Sequence, residues 1–198
     1  ENLYEFNKFL NNLNYNIKDK KDLVGGVQSF KLKNNIVFFD IGDPPSKVFS
    51  KNYQSGPLSF EYYADSKKII TNCGFGNNIS SKAELLSRLT SAQSTLTLND
   101  TSVTSFERNK LINKIFGNSI KDTFKISDLY YDDNENYIKT SASHNGYEKK
   151  FGCIFKRELK LNKNTSNLSG RDELIKKKDG KPLNYSFRFH LYPGLTAV

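Results

Sequence analysis

The sequence predicts a mainly β protein, an antiparallel β-sandwich with a short helix at its start. Three observations carry that prediction. Between Leu58 and Tyr63 the chain alternates Leu58, Phe60 and Tyr62 with Ser59, Glu61 and Tyr63, the two-residue period of a half-buried strand. Short apolar runs of similar kind recur along the chain, separated by Asn-, Asp- and Gly-rich turns. A helical three-to-four-residue period stands out only near the N-terminus, and no internal repeat or low-complexity tract is present.

Taken in order, Leu3, Phe6, Phe9, Leu10 and Leu13 give an amphipathic helix, and 14–22 read as a polar connector. Val27–Leu32 and Ile36–Ile41 are strands about a turn at Lys33-Asn34-Asn35. Gly42-Asp43-Pro44-Pro45 ends the second, because proline cannot donate to a ladder. The Leu58–Tyr63 strand turns at Asp65-Ser66-Lys67-Lys68 and returns through Ile69-Ile70-Thr71 to Gly74, a hairpin. Ser80 or Ser81 is placed to cap a helical turn before Leu85 and Leu86. Ser94–Leu98 alternates again and stops at Asn99-Asp100. Val103–Phe106 reads as a brief strand, and 109–124 as an insertion packed on the sheet. Lys125–Tyr131, Tyr137–Ser143, Cys153–Leu161 and Tyr185–Leu191 complete the strands, with turns at 132–136 and 178–182.

The chain has 198 residues, enough for one domain with a real core. It begins with Glu1 and contains no Met, so a piece of a longer protein is expected. No apolar run reaches the roughly 18 residues of a transmembrane helix, and no signal peptide is visible. Thirty basic against 21 acidic residues leave a net charge of +9, which would attract polyanions. Lysine outnumbers arginine 25 to 5 and asparagine is abundant, so an AT-rich coding bias is the favoured explanation of the excess and a polyanion-binding surface the alternative. Cys73 and Cys153 read as buried free thiols beside glycine and are not spaced as a metal knuckle. No recognition helix, zinc knuckle or aromatic RNA-binding signature points to specific nucleic-acid binding.

A series of motifs adds a family likeness. Gly56-Pro57-Leu58-Ser59-Phe60-Glu61, Asn72-Cys73-Gly74 and Ala92-Gln93-Ser94-Thr95-Leu96 stand in that order. Gly25-Gly26-Val27-Gln28 and Asp40-Ile41-Gly42-Asp43-Pro44-Pro45 precede them, and His144-Asn145-Gly146-Tyr147, Phe151–Arg157, Leu168–Asp172 and Arg188–Pro193 follow. Together they resemble the C-terminal β-domain of heparinase II/III-like proteins, most closely a bacterial branch. The resemblance runs over roughly residues 23–193, making 23–198 the β-sandwich domain, and it implies that the family's sandwich continues with further strands past this C-terminal end.

The resemblance implies a parent that cleaves uronate-containing polysaccharide by β-elimination in the cell envelope or periplasm. It also implies an upstream α/α toroid before residue 1, of which 1–22 would be the helical tail and linker. Such lyases neutralise the uronate carboxylate, remove the acidified proton with a base and protonate the leaving oxygen. Their β-domain contributes His and often a zinc site. Here Gln54, Asn72 and Gln93 stand where the family carries His, Asp and His, and Phe155 replaces a further His. Amides are poor zinc ligands, so no zinc and no other cofactor is expected. Gln54, Asn72, Gln93 and Tyr53 become candidate sugar-binding residues. His144 is the candidate catalytic residue, with turn-organising hydrogen bonding as its structural alternative. His190 reads as a packed strand residue. The fragment by itself is expected to be inactive, and a carbohydrate-binding or structural module with a degenerate site is the alternative.

Overall fold

The computed structural model describes residues 3–13, 23–177 and 183–196. The connector at 14–22 and the turn at 178–182 lie outside the described residues. The helix α1 covers Leu3–Asn12, and its Tyr4, Phe6 and Phe9 are exposed.

The first sheet is built from neighbouring hairpins. Strands β1 (Leu23–Val24), β2 (Val27–Leu32), β3 (Asn35–Asp40), β4 (Phe60–Ala64) and β5 (Lys67–Thr71) lie side by side in chain order, all antiparallel. The β4–β5 connection is the two residues Asp65 and Ser66, both at positive φ, the turn whose twist matches the strands it joins. Asn35 pins it, its Oδ1 accepting from the Asp65 N–H at 3.0 Å. The β1–β2 turn uses Gly25 and Gly26, at φ +59° and +82°. A Cβ on Gly26 would lie 2.5 Å from Gly42 Cα, so that backbone crossing admits no side chain. Gly26→Ala is expected to destabilise the domain by about 2 kcal/mol or more, measured as a lowered urea midpoint.

The second sheet contains β7 (Ile126–Asp133), β8 (Tyr137–His144), β9 (Cys153–Asn162) and β10 (Leu168–Lys176), in the order β10-β9-β8-β7. Along β9 burial alternates strictly, placing Cys153, Phe155, Arg157, Leu159 and Leu161 inward. Cys153, Phe155, Leu159 and Leu161 join Phe30, Val37, Phe39 and Phe60 of the first sheet, and Leu58 just ahead of β4, in one core. A hydrogen bond of 2.6 Å from Thr140 Oγ1 to Gln28 Oε1 crosses between the sheets. The β6 strand (Leu96–Leu98) pairs with β11 (Tyr185–Phe187), and β12 (His190–Leu191) closes the first sheet against β5. These layers are the antiparallel sandwich predicted, with its N-terminal helix.

Arg157 joins the layers. Its guanidinium is 1 % exposed and grips Asp172 of β10 with two bonds of 2.7 Å, Nε to Oδ1 and Nη2 to Oδ2. Nη1 donates to the carbonyls of Leu58 and Ser94, both at 2.8 Å. The Phe60, Phe155 and Phe189 rings lie 5.3–5.6 Å from its central carbon.

Several local expectations need correction. β10 was not foreseen as a strand, because Gly170, Arg171, Asp172 and Glu173 give no alternation; it pairs only with β9 and can carry charge at the sheet edge. Val103–Phe106 is not a strand, Phe106 making only one bridge, to Ile120. Tyr185–Leu191 divides into β11 and β12, which belong to different sheets. The 109–124 insertion forms α3 (Lys110–Phe116), capped by Asn109 Oδ1 accepting from Leu111 N–H at 2.9 Å. It buries Ile120 and Phe124 but leaves Leu111 and Ile115 exposed. Ser80 caps α2 (Ser81–Ser87). Cys153 is buried, whereas Cys73 is exposed just past the end of β5.

Candidate functional site

Where β3 ends at Asp40, the chain turns away and returns through the 50–59 loop to start β4. Arg88, fully buried behind α2, holds that loop from behind. Its Nε donates to Tyr53 O and its Nη2 to Ser50 O, both at 2.9 Å, while its own carbonyl accepts from Ser55 N–H at 2.9 Å. The guanidinium stacks 4.2 Å from the Phe106 ring centre. Contacts to residues 53 and 55 fix the backbone on both sides of Gln54.

Gln93 comes up from the opposite side, on the short segment between α2 and β6. It is 2 % exposed and its Nε2 donates to Ser87 O at 2.9 Å and to Gln54 Oε1 at 3.5 Å. Gly56 permits this approach, since a Cβ there would sit 2.8 Å from Gln93 Cγ. Asn72 completes the group at the end of β5. Its Oδ1 accepts from Ser94 N–H at 2.8 Å, its Nδ2 donates to Ser59 Oγ at 3.4 Å, and its backbone N–H donates to Glu61 Oε1 at 3.1 Å.

Gln54, Asn72 and Gln93 therefore line one groove of about 400 Å³, with Asp40 and Glu61, and with Val27 and Phe38 as apolar wall. Glu61 is engaged, paired with Lys68 at 2.8 Å. Asp40 is less committed: its carboxylate accepts from Gly42 N–H at 3.2 Å. Burial pushes the Asp40 carboxyl up to about 7, only partly offset by that hydrogen bond. The groove thus combines amide donors and acceptors with one carboxyl able to gain or lose a proton near neutrality, and no Lys or Arg among the described residues lines it.

Tyr53 lies one residue from Gln54 but packs on the core and is not among the groove's lining residues. Its phenol is pushed upward, first by burial and then by the charges of Asp40 and Asp43. His144 is elsewhere, fully buried at the end of β8 among Phe124, Tyr147 and Phe155, ring centres 5.6–5.8 Å away. Its Nδ1 accepts from Gly146 N–H at 3.1 Å, and its Nε2 has no partner among the described residues. Burial, and then the Arg157 charge, pull its pKa down to about 3, so the ring is neutral. His190 anchors β12, its N–H donating to Ser94 Oγ at 3.0 Å and its Nε2 lying 3.1 Å from Ser91 O.

Asp40, Glu61 and Arg88 were not singled out from sequence. Asp40 looked only like the end of a strand before a proline turn; its burial depends on the returning 50–59 loop. For zinc, the three amides supply neither imidazole, thiolate nor carboxylate at the positions in question, so these residues do not fit the ion. Among the described residues, no three His, Cys, Asp or Glu side chains converge as a metal cluster.

A family model described as Heparinase II/III-like, C-terminal, matches residues 18–198. No curated protein and no solved structure matches the chain.

Proposed function

Because the chain belongs to the heparinase II/III-like family through that C-terminal domain, we propose that it is the β-half of a protein acting on uronate-containing polysaccharide by β-elimination. The observation that carries this reading is the amide groove, which gathers Gln54, Asn72 and Gln93 beside Asp40 and is shaped to hydrogen-bond sugar hydroxyls. Val27 and Phe38 offer an apolar face for a pyranose ring.

Elimination needs a cation or equivalent at the uronate carboxylate, a base at the adjacent carbon and an acid at the leaving oxygen. Among the described residues the groove has no cationic lining residue, and the neutral His144 ring is fully buried. An α/α toroid upstream therefore supplies the carboxylate-neutralising group and the base, while this domain orients the sugar. The isolated fragment is inactive on this reading, and the parent works in the cell envelope or periplasm. No described helix is long and apolar enough to cross a membrane.

The full-length parent, incubated with a panel of uronate polysaccharides, is expected to generate the ultraviolet absorbance of a C4–C5 double bond. Gln93→Ala, which removes the amide that reaches Gln54, is expected to lower that rate at least tenfold. A flat trace with retained binding would favour a second reading, a non-catalytic carbohydrate-binding module, to which the three amides at positions 54, 72 and 93 also lend themselves. Strong elimination by the isolated chain would sink the division of labour.

A further inference from the structure

We propose that the trough bordered by Lys121, Lys149, Lys150 and Lys177 is a second carbohydrate site, which takes the anionic groups of an acidic polysaccharide. This rests on the reading that the ligand is an acidic polysaccharide. The amide groove offers hydroxyl recognition without a positive charge, so sulfate or carboxylate groups along the same polymer need counter-charges elsewhere on the domain.

The trough supplies them. It encloses about 700 Å³ between 121–123, the Asn145–Gly146 turn and the short helix α4 (Glu148–Phe151). Three separate segments bring the lysines together. The Lys121 backbone N–H donates to Ser105 O at 2.8 Å, and the Lys177 N–H donates to Gly152 O at 2.7 Å, which ties the end of β10 beside α4. Lys149 and Lys150 occupy α4 itself. The acidic residues at its wall are Asp122 and Glu148. Asp122 is 3.6 Å from Lys150 and takes a hydrogen bond from Ser105. Lys121, Lys149 and Lys177 are exposed and have no ion-pair partner within 4 Å among the described residues. Positive charge therefore remains after internal pairing.

A second cavity of about 820 Å³ adjoins the first, with Lys121 and Lys150 lining both. Its wall includes Thr104, a fully buried residue whose hydroxyl has no partner among the described residues. Leu85 and Leu86 are 40 % and 49 % exposed at the same cavity and give a flat apolar surface for a sugar ring. Cations beside exposed aliphatic side chains suit a charged polysaccharide. Single-stranded nucleic acid would call for exposed aromatic rings on which bases stack, and the one aromatic wall residue among the described residues, Phe106, is 7 % exposed.

The test is calorimetric titration of the full chain with a sulfated uronate hexasaccharide. A neutral hexasaccharide and a short DNA duplex serve as comparison ligands. The double variant Lys149→Glu with Lys177→Glu is compared with Lys31→Glu plus Lys33→Glu, which has the same net charge; melting curves establish that both fold. The trough variant is expected to weaken hexasaccharide binding at least tenfold and to flatten its salt dependence, while the control changes it less than twofold. Equal losses in the two variants, or DNA binding as tight as the hexasaccharide and lost in parallel, would overturn the site. Wild-type binding that ignores the trough variant would overturn the site alone. Wild-type binding lost in the trough variant, alongside a parent that performs no elimination, would uphold the site and reject only the chemistry. Absence of all hexasaccharide binding would reject both.

Discussion

Arg157→Ala is expected to be the most damaging single side-chain truncation in the domain, costing about 3–5 kcal/mol of stability. The residue makes four hydrogen bonds from a position 1 % exposed, and they reach Leu58 ahead of β4, Ser94 ahead of β6 and Asp172 on β10. Removing it leaves one carboxylate and two carbonyls without donors, in addition to a void among Phe60, Phe155 and Phe189. Against a typical total of about 5–15 kcal/mol, that loss leaves a marginal fold. Lysine does not rescue, because a single ammonium cannot span a bidentate carboxylate and two carbonyls. Arg157→Met combined with Asp172→Leu should recover part of the loss, since a removed pair leaves no lone charge. Urea unfolding of the three variants at pH 7 measures each difference. A loss below about 1 kcal/mol for Arg157→Ala would mean that the staple is dispensable.

The second large effect is in the pH dependence. Asp40 has a folded pKa of about 7 against an ordinary 3.8, so the folded state holds its proton more tightly. Stability from this group is fully present below about pH 4 and is lost as pH rises through 7. His144 runs the other way. Its folded pKa of about 3 lies below the ordinary 6.5, so the unfolded chain takes the proton first and stability falls as pH drops from 6.5 towards 3. Each group alone gives a slope of about 1.4 kcal/mol per pH unit, and between about pH 4.5 and 6.5 the slopes are opposite. Wild-type stability should therefore be nearly flat in that window. Asp40→Asn should expose a rise of about 3 kcal/mol with pH, and His144→Asn a fall of similar size. Parallel slopes in the two variants would refute the assignment of these pKa values. Below that window Asp43, Asp122 and Glu107, all held beneath their ordinary values by hydrogen bonds, add a common acid-side loss.

How much of this was legible depended on whether the information was local. The 58–71 hairpin was readable because alternation and turn residues act within a few positions. β10 was not, because an edge strand bonded on one side has little need of alternation. The break between Phe187 and His190 was invisible for another reason: two residues are enough to carry the chain from β6 to β5, and that crossing is decided by partners about 90 to 120 positions earlier. At the groove, the three amides were marked by their places in the family's motif series. Asp40 stood in that series only as the start of the Asp40–Pro45 segment and Arg88 not at all, since the burial of one and the clamping by the other exist only once the 50–59 loop has folded back. His144 read as a candidate catalytic residue or a turn-organising one; it does accept a hydrogen bond from the Gly146 N–H, and only the closure of Phe124, Tyr147 and Phe155 around it removes it from solvent.

The late arrival of β12 has a consequence during synthesis. The backbone edge of β5 at Ile70 and Thr71 finds its partner only when Leu191 and His190 have been made, about 120 residues later. At a translation rate of about 5–20 residues per second, that edge stands open for roughly 6–24 s in a chain whose other sheet neighbours are already available. An unpaired edge is a template for pairing with another nascent chain. Lys68 is paired with Glu61 of β4, whereas Lys67, exposed at the start of β5, places a positive charge on that strand and opposes such pairing for as long as the gap lasts.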